Sequence, residues 1–266
     1  MALVRADLVA STLGYRPERL VEIDDGFDYE VVVADDAWVF RFPRRASVEA
    51  TLALEIELLP LLHDALPVEV PRFEHVSRDP LFVAYPLIGG DPLVYEDPAG
   101  IAGFLSALHG IAPETLPLAR PDWREEYVER CGRFAQSVVP LLDVDERSRA
   151  EQLFAEAAGL TEFDPVPIHA DLLPEHMRCR HGRLAGVIDW GDACVGDPAL
   201  DFAWLLHAHP HAEEVVAAYS GPLDDAYRER ARFYYRLEPW VAARYGLVTA
   251  QPAQVDRGLR GIRERL

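Results

Sequence analysis

The chain has 266 residues, half of them apolar, which is enough for one large domain or two lobes around a packed core. Its 45 acidic and 26 basic side chains leave a formal charge of −19, a field that repels a nucleic-acid backbone, attracts a small cation and favours solubility. No apolar run is long enough to span a bilayer, which argues against a membrane partner. The first seven residues reach charge at Arg5 and Asp7, too early for a secretory signal, and read as the start of a short amphipathic helix. Strand patterns follow. Tyr29 to Val33 and Ala37 to Phe42 flank the turn signal Ala34-Asp35-Asp36 and predict a hairpin. In its second strand Trp38, Phe40 and Phe42 share one face, while Val39 and Arg41 share the other.

Leu52, Ile56, Leu59 and Leu62 recur at helical spacing, and Pro60 is expected to kink that helix or end it a turn early. Leu81 to Tyr85 is a further strand. Pro86-Leu87-Ile88-Gly89-Gly90-Asp91-Pro92 cannot extend it and reads as a hinge between lobes. Beyond it the chain is mainly helical. Ile101, Phe104, Leu105 and Leu108 line one helix face, and residues 123–160 carry amphipathic pattern divided near Pro140. Met177 to Arg180 and Arg183 to Ile188, separated by His181-Gly182, have the spacing of a tight hairpin. Asp197-Pro198 marks a helix start, expected to run through Phe202 and Leu206, and the last forty residues read as closing helices. Cys131, Cys179 and Cys194 are few and scattered, which argues against a disulfide framework or a zinc site and for a reducing, cytoplasmic setting.

The chemistry concentrates in Ile168-His169-Ala170-Asp171-Leu172-Leu173-Pro174-Glu175-His176 and in Val187-Ile188-Asp189-Trp190-Gly191-Asp192. Asp171 lies in an irregular turn after a strand. His176 opens the second hairpin and Asp189 closes it, so both sit at the same end of a two-stranded ribbon. An imidazole and two carboxylates in one region suit phosphoryl transfer. That reaction needs a divalent cation on the triphosphate, a carboxylate to orient the attacking hydroxyl, and cations on the phosphates. Magnesium takes oxygen ligands and keeps several waters, so one or two carboxylates suffice.

In order and separation, His169-Ala170-Asp171, His176, Ile188-Asp189-Trp190-Gly191-Asp192 and Asp197-Pro198-Ala199-Leu200-Asp201 resemble the catalytic core of the aminoglycoside and macrolide phosphotransferase family. Upstream, Trp38 to Arg44 resembles that family's third strand and Val83 to Gly90 its hinge. The resemblance implies an α+β, two-lobed, protein-kinase-like fold, with a small antiparallel-sheet lobe over residues 1–88 and a mainly helical lobe over residues 89–266. It also implies an enzyme that moves the γ-phosphate of ATP or GTP to a hydroxyl of a small molecule, an antibiotic or, alternatively, a metabolite such as choline, homoserine or a sugar. By resemblance Asp171 is the catalytic residue, and His176 and Asp189 hold magnesium, with manganese an equal candidate because imidazole is not magnesium's first choice. Arg41 would contact the phosphates with Glu55 as its helix partner, Glu57 being the alternative. Ala84, Tyr85 and Leu87 would meet the nucleotide, and Asp201 would brace the catalytic turn. His169 reads as a structural hydrogen-bonder and Asp197 as a helix cap, while Asp192 is either a loop cap or a supporting group. Asp24 to Tyr29 stands where a phosphate-cradling loop would lie, although its single glycine is flanked by carboxylates. Two other classes remain open at this point: a nucleotide-binding protein without turnover, and a metal-dependent phosphoesterase.

Overall fold

The structure, a computed structural model, describes residues 2–23, 28–92, 97–160 and 162–266. Asp24 to Phe27, most of the expected phosphate loop, therefore lie outside the described residues. The chain opens with helix α1 (Ala2–Leu13) and strands β1 (Leu20–Ile23), β2 (Tyr29–Ala34) and β3 (Trp38–Pro43). The hairpin between β2 and β3 closes at Asp35 and Asp36, whose φ angles of 52° and 50° give the tight turn that matches the strand twist. The expected alternation holds. Phe40 and Phe42 pack with Phe82 against Val9 of α1, while Arg41 projects from the opposite face.

Helix α2 (Ala46–Leu62) follows, then β4 (His75–Arg78) and β5 (Leu81–Pro86). The five strands form one antiparallel sheet in the order β1-β2-β3-β5-β4. Pro60 does not end α2 a turn early. It sits in the final turn, where few helical bonds remain to be lost, and the helix runs on to Leu62. The two edge strands, β1 and β4, are mostly exposed and only four residues long, too short for a period to reveal them. The segment after β5 crosses to a second sheet. Asp91–Pro92 (β6) pairs with Cys179 and Arg178, and Gly90, at φ 127°, passes so close that an added Cβ would lie 2.6 Å from the Cys179 carbonyl oxygen. Only glycine meets both demands there.

The rest is largely helical: α3 (Pro98–His109), α4 (Trp123–Ser137) and α5 (Val144–Ala158), the last opened by a capping box of Asp143 and Glu146. Strand β7 (Val166–Ile168), the hairpin β8 (Met177–Arg180) and β9 (Arg183–Val187), and β10 (Cys194–Gly196) carry the irregular turns between them. Then come α6 (Ala203–Ala208), α7 (Ala212–Ala218), α8 (Tyr227–Val248) and α9 (Pro252–Arg265). The helix expected from Asp197 through Leu206 is broken in two. Pro198–Leu200 forms a single tight turn, and α6 begins only at Ala203. At the break the Asp201 carboxylate faces inward and binds other segments, which outweighs continuation of the helix.

The largest buried apolar cluster joins Ile101, Phe104, Leu105, Leu108, Trp190, Phe202 and Trp240. It also takes in Leu58, Leu59 and Leu62 of α2 and Val70 just beyond, whereas Val48 and Leu52 of the same helix pack with Tyr29 and Val83 of the sheet. Glu69 continues the link: its N–H donates to the Ala185 carbonyl and its own carbonyl accepts from Val187, at 2.8 and 2.9 Å. Among the described residues no helix is long and apolar enough to cross a membrane.

Helices α8 and α9 meet closely because Gly258 lies on Ala243, where an added Cβ would come within 2.4 Å of the Ala243 nitrogen. Gly258→Val is therefore expected to lower stability by about 1–3 kcal/mol through overpacking, read as a shifted urea midpoint. A midpoint equal to that of the wild type would show that the two helices separate without cost.

Candidate active site

Beyond β7 the backbone leaves the extended conformation at once. Ala170 has φ 66°, a left-handed conformation that an alanine adopts only when its surroundings hold it. Asp201 is what holds it. Its two carboxylate oxygens accept the backbone N–H of His169 (2.9 Å) and of Ala170 (2.8 Å). The His169 ring secures the same turn from the other side. Its Nε2–H donates to the Ile188 carbonyl (3.1 Å), and its Nδ1 accepts the N–H of Asp171 (3.3 Å). Burial pushes His169 down to about 4, which keeps the ring neutral and leaves Nδ1 able to accept. His169 thus has the structural role expected of it. Trp190 closes the arrangement: it is fully buried, its Nε1–H donates to the Val187 carbonyl, and its ring lies 4.8 Å from that of His169.

Asp171, His176 and Asp189 come together. His176 Nδ1 donates to the Asp171 carbonyl oxygen at 2.8 Å, and the same nitrogen is 3.3 Å from the Asp171 carboxylate. The other ring nitrogen, Nε2, faces Asp189, whose Oδ2 is 3.6 Å away. Burial alone would favour the neutral ring, but the Asp171 and Asp189 carboxylates raise His176 above its ordinary value, so a cation bound at Nε2 takes the place of a proton. One ligand atom from each of the three residues lies within 4.8 Å of the others. Asp189, at φ 65°, is the second residue near the site in the left-handed region. The set of two carboxylates and one imidazole fits a divalent cation, and the bond from Nδ1 to a carbonyl is the outer contact that orients a histidine ligand. Burial pushes the Asp171 carboxyl up, against the opposing pull of His176.

The cationic side is built on β3. Arg41 makes a two-pronged pair with Glu55 (Nη1 to Oε2 2.6 Å, Nη2 to Oε1 3.0 Å), and both side chains are buried. Its Nη2 also reaches Asp189 Oδ1 at 3.3 Å, so strand β3 and the end of the β8–β9 ribbon meet at one guanidinium. Burial alone would favour the neutral form, but the Glu55 carboxylate holds Arg41 firmly charged. Glu57, the alternative partner, points to solvent.

The expected nucleotide contacts fare unevenly. Ala84 is fully buried in the cluster beneath α1, and its carbonyl accepts the Glu74 N–H, so it has no surface to offer a ligand. The reason is strand parity: Val83 and Tyr85 face the Arg41 side, and Ala84 faces away. Tyr85 is buried against Phe73 beside Arg41, with its hydroxyl pushed up to about 12 by burial. Leu87 is partly exposed, but its N–H already donates to the Ala37 carbonyl at 2.7 Å. Asp192 is exposed on the turn after Trp190. Asp197 caps Ala199, as expected of it, and its carboxylate also binds Arg230 and the Tyr234 hydroxyl.

Sequence reasoning missed Tyr29. The Arg41 guanidinium lies 3.9 Å from its ring centroid, and its hydroxyl is 3.5 Å from Glu55. A signal was present. Val31 is paired across from Arg41, and Tyr29, two residues earlier, shares its face. The His109 and Tyr219 side chains behind Asp201 were also missed. They lie 92 and 110 residues from their partners, where no local pattern points.

Among curated proteins the chain is 28% identical over 210 residues to the uncharacterized protein YcbJ of Bacillus subtilis (strain 168), covering 67% of each chain. It is 29% identical over 110 residues to a homoserine kinase of Gluconobacter oxydans (strain 621H), a match spanning 39% of this chain and 34% of that enzyme. Among solved structures it is similar to APH(2")-IIia in its GDP and kanamycin complex, with a TM-score of 0.88, 22% identity, and 99% and 98% of the two chains covered. It is also similar to the macrolide 2'-phosphotransferase MphH from Brachybacterium faecium, with a TM-score of 0.75, 24% identity, and 97% and 96% covered. These likenesses establish the kinase-like aminoglycoside phosphotransferase fold that the sequence pattern implied. The model of the phosphotransferase enzyme family matches residues 19–242, a span containing Arg41, Glu55, Asp171, His176, Asp189 and Asp201, and the chain belongs to that family.

Proposed function

We propose that the protein is a magnesium-dependent O-phosphotransferase that moves the γ-phosphate of ATP or GTP to a hydroxyl of an aminoglycoside or macrolide. The observation that carries this reading is the convergence of Asp171, His176 and Asp189 within 4.8 Å, beside an Arg41 already anchored by Glu55. Asp171 orients the acceptor hydroxyl and takes its proton. His176 and Asp189 hold the divalent cation, magnesium or equally manganese, which would neutralise charge on the triphosphate. Arg41 presents its guanidinium to the phosphates, and Glu55, Tyr29 and Tyr85 keep it in place. We divide the chain into a nucleotide-binding lobe, residues 1–88, and a catalytic and acceptor-binding lobe, residues 89–266, and place the protein in the cytoplasm. The net charge of −19 favours a cationic acceptor such as an aminoglycoside. The homoserine kinase among the relatives favours a second reading, in which the acceptor is a small metabolite alcohol.

The test is a panel of aminoglycosides, macrolides, choline, homoserine and simple sugars, assayed for nucleoside diphosphate release with ATP and with GTP. Release that depends on an antibiotic supports the first reading, and release with a metabolite alone supports the second. No acceptor-dependent release with any compound overturns both. The metal assignment has its own check. Asp189→Ala should weaken binding of the magnesium–nucleotide complex by about tenfold or more in calorimetry. Unchanged affinity removes Asp189 from the metal site.

A further inference from the structure

We propose that the Tyr219 hydroxyl is a positioning group for phosphoryl transfer: through His109 and Asp201 it fixes the peptide turn from which Asp171 projects. Tyr219 follows α7 and lies far from Asp171 along the chain, yet a continuous line of hydrogen bonds joins them. The Tyr219 hydroxyl is 2.7 Å from His109 Nδ1, His109 Nε2 is 3.1 Å from Asp201 Oδ2, and Asp201 receives the N–H groups of His169 and Ala170. His109 and Asp201 are both buried, so water does not substitute for a missing partner.

The direction of each bond follows from chemistry. The Asp201 carboxylate only accepts, so His109 Nε2 donates to it. In the neutral ring Nδ1 is then an acceptor and needs a donor, which the phenol supplies. Burial raises the Tyr219 hydroxyl well above its ordinary value, and the Asp201 charge raises it further, so the proton stays on the phenol. Without that donor, Nδ1 is a buried, unsatisfied acceptor. The ring can then satisfy itself by moving its proton to Nδ1 or by turning, and either change removes the bond to Asp201.

The surroundings hold the phenol in place. Its ring stands edge-on to His109 and to Phe202, with centroids 5.6 and 5.1 Å away. The next residue, Ser220, donates its N–H to Ser106 Oγ on α3 at 3.0 Å. Gly221 leaves room that a side chain would fill, since an added Cβ would lie 2.1 Å from the Tyr219 hydroxyl oxygen. Tyr219 thus ties the end of α7 and the end of α3 to the turn after β7.

Tyr219→Phe keeps the ring and deletes only the hydroxyl. In ¹⁵N-labelled protein, the wild-type His109 ring should carry its proton on Nε2, and in the variant this preference should be lost, with a shift of the Ala170 amide. Nucleoside diphosphate release from ATP or GTP in magnesium, with water as acceptor, should fall about tenfold while nucleotide affinity stays unchanged. Gly221→Ala, which displaces the same hydroxyl, should give the same split between turnover and affinity. In a His109→Gln background, where the amide N–H donates to Asp201 unaided, Tyr219→Phe should cause no further loss. Unchanged release together with an unchanged His109 ring overturns the proposal, as do fully additive losses in the double variant. If the wild-type chain releases no diphosphate with water or with any acceptor of the panel, the phosphotransferase reading fails. The His109 ring and the Ala170 amide then decide alone whether Tyr219 governs the turn.

Discussion

Asp171→Ala is expected to abolish measurable transfer while nucleotide binding survives. The effect on kcat should be about 10³-fold, the middle of the range for losing a positioned general base. Affinity for the magnesium–nucleotide complex should change little, because Arg41, Glu55 and Asp189 lie outside the substitution and the turn is held by backbone bonds. Those bonds to the Asp201 carboxylate involve the N–H groups of residues 169 and 170, and the 171 side chain takes no part in them. Calorimetry with the diphosphate and steady-state turnover together make the test. Turnover near the wild-type rate would show that another group handles the acceptor proton. Lost affinity with unchanged kcat would assign Asp171 to the metal instead.

Glu55→Ala is expected to be the most destabilising change in the sheet region. It leaves Arg41 buried without its two-pronged partner, and the half-exposed Asp189 at 3.3 Å compensates only in part. Breaking one side of a buried ion pair costs about 3–5 kcal/mol. For a chain of this length that corresponds to a fall in Tm of roughly 10 °C. Glu57→Ala, on the exposed face of the same helix, should leave Tm essentially unchanged. Equal midpoints for the two variants would show that the pair contributes nothing to stability and would reopen the choice between them.

Much of the arrangement was legible because local chemistry and tertiary demand agree. The β2–β3 hairpin announced itself through alternation on either side of Asp35-Asp36, and the β8–β9 hairpin through His181-Gly182. The ordered run from His169 to Asp201 marked the site, since short turns leave little freedom in where those residues fall. The failures have physical causes too. β1 and β4 are exposed edges of four residues each, too short to show a period. The helix after Asp197 breaks where a buried carboxylate satisfies a distant turn, and no propensity encodes that. Ala84 was misplaced although the remedy lay in strand parity. Once β5 pairs with β3 so that Val83 stands beside Arg41, Ala84 must point to the opposite face. Tyr29 was missed for want of the same parity argument. His109 and Tyr219 illustrate the remaining limit: their roles exist only after α3 and α7 have docked.

Helix α2 carries Val48 and Leu52 in one apolar cluster, Leu58, Leu59 and Leu62 in another, and Glu55 between them. A stiff rod clamped at both ends cannot be left behind when a mouth widens. Gaping between the sheet and the helices therefore has to bend this rod, strip one of its ends from its bed, or carry it along with one jaw. The span from Pro86 to Pro92 is thus joined by other ties, among them the Glu69 backbone bonds to Ala185 and Val187 and the rod itself, which carries the carboxylate that steadies Arg41. Any movement of the sheet against the helices that strained the rod would be felt at that guanidinium.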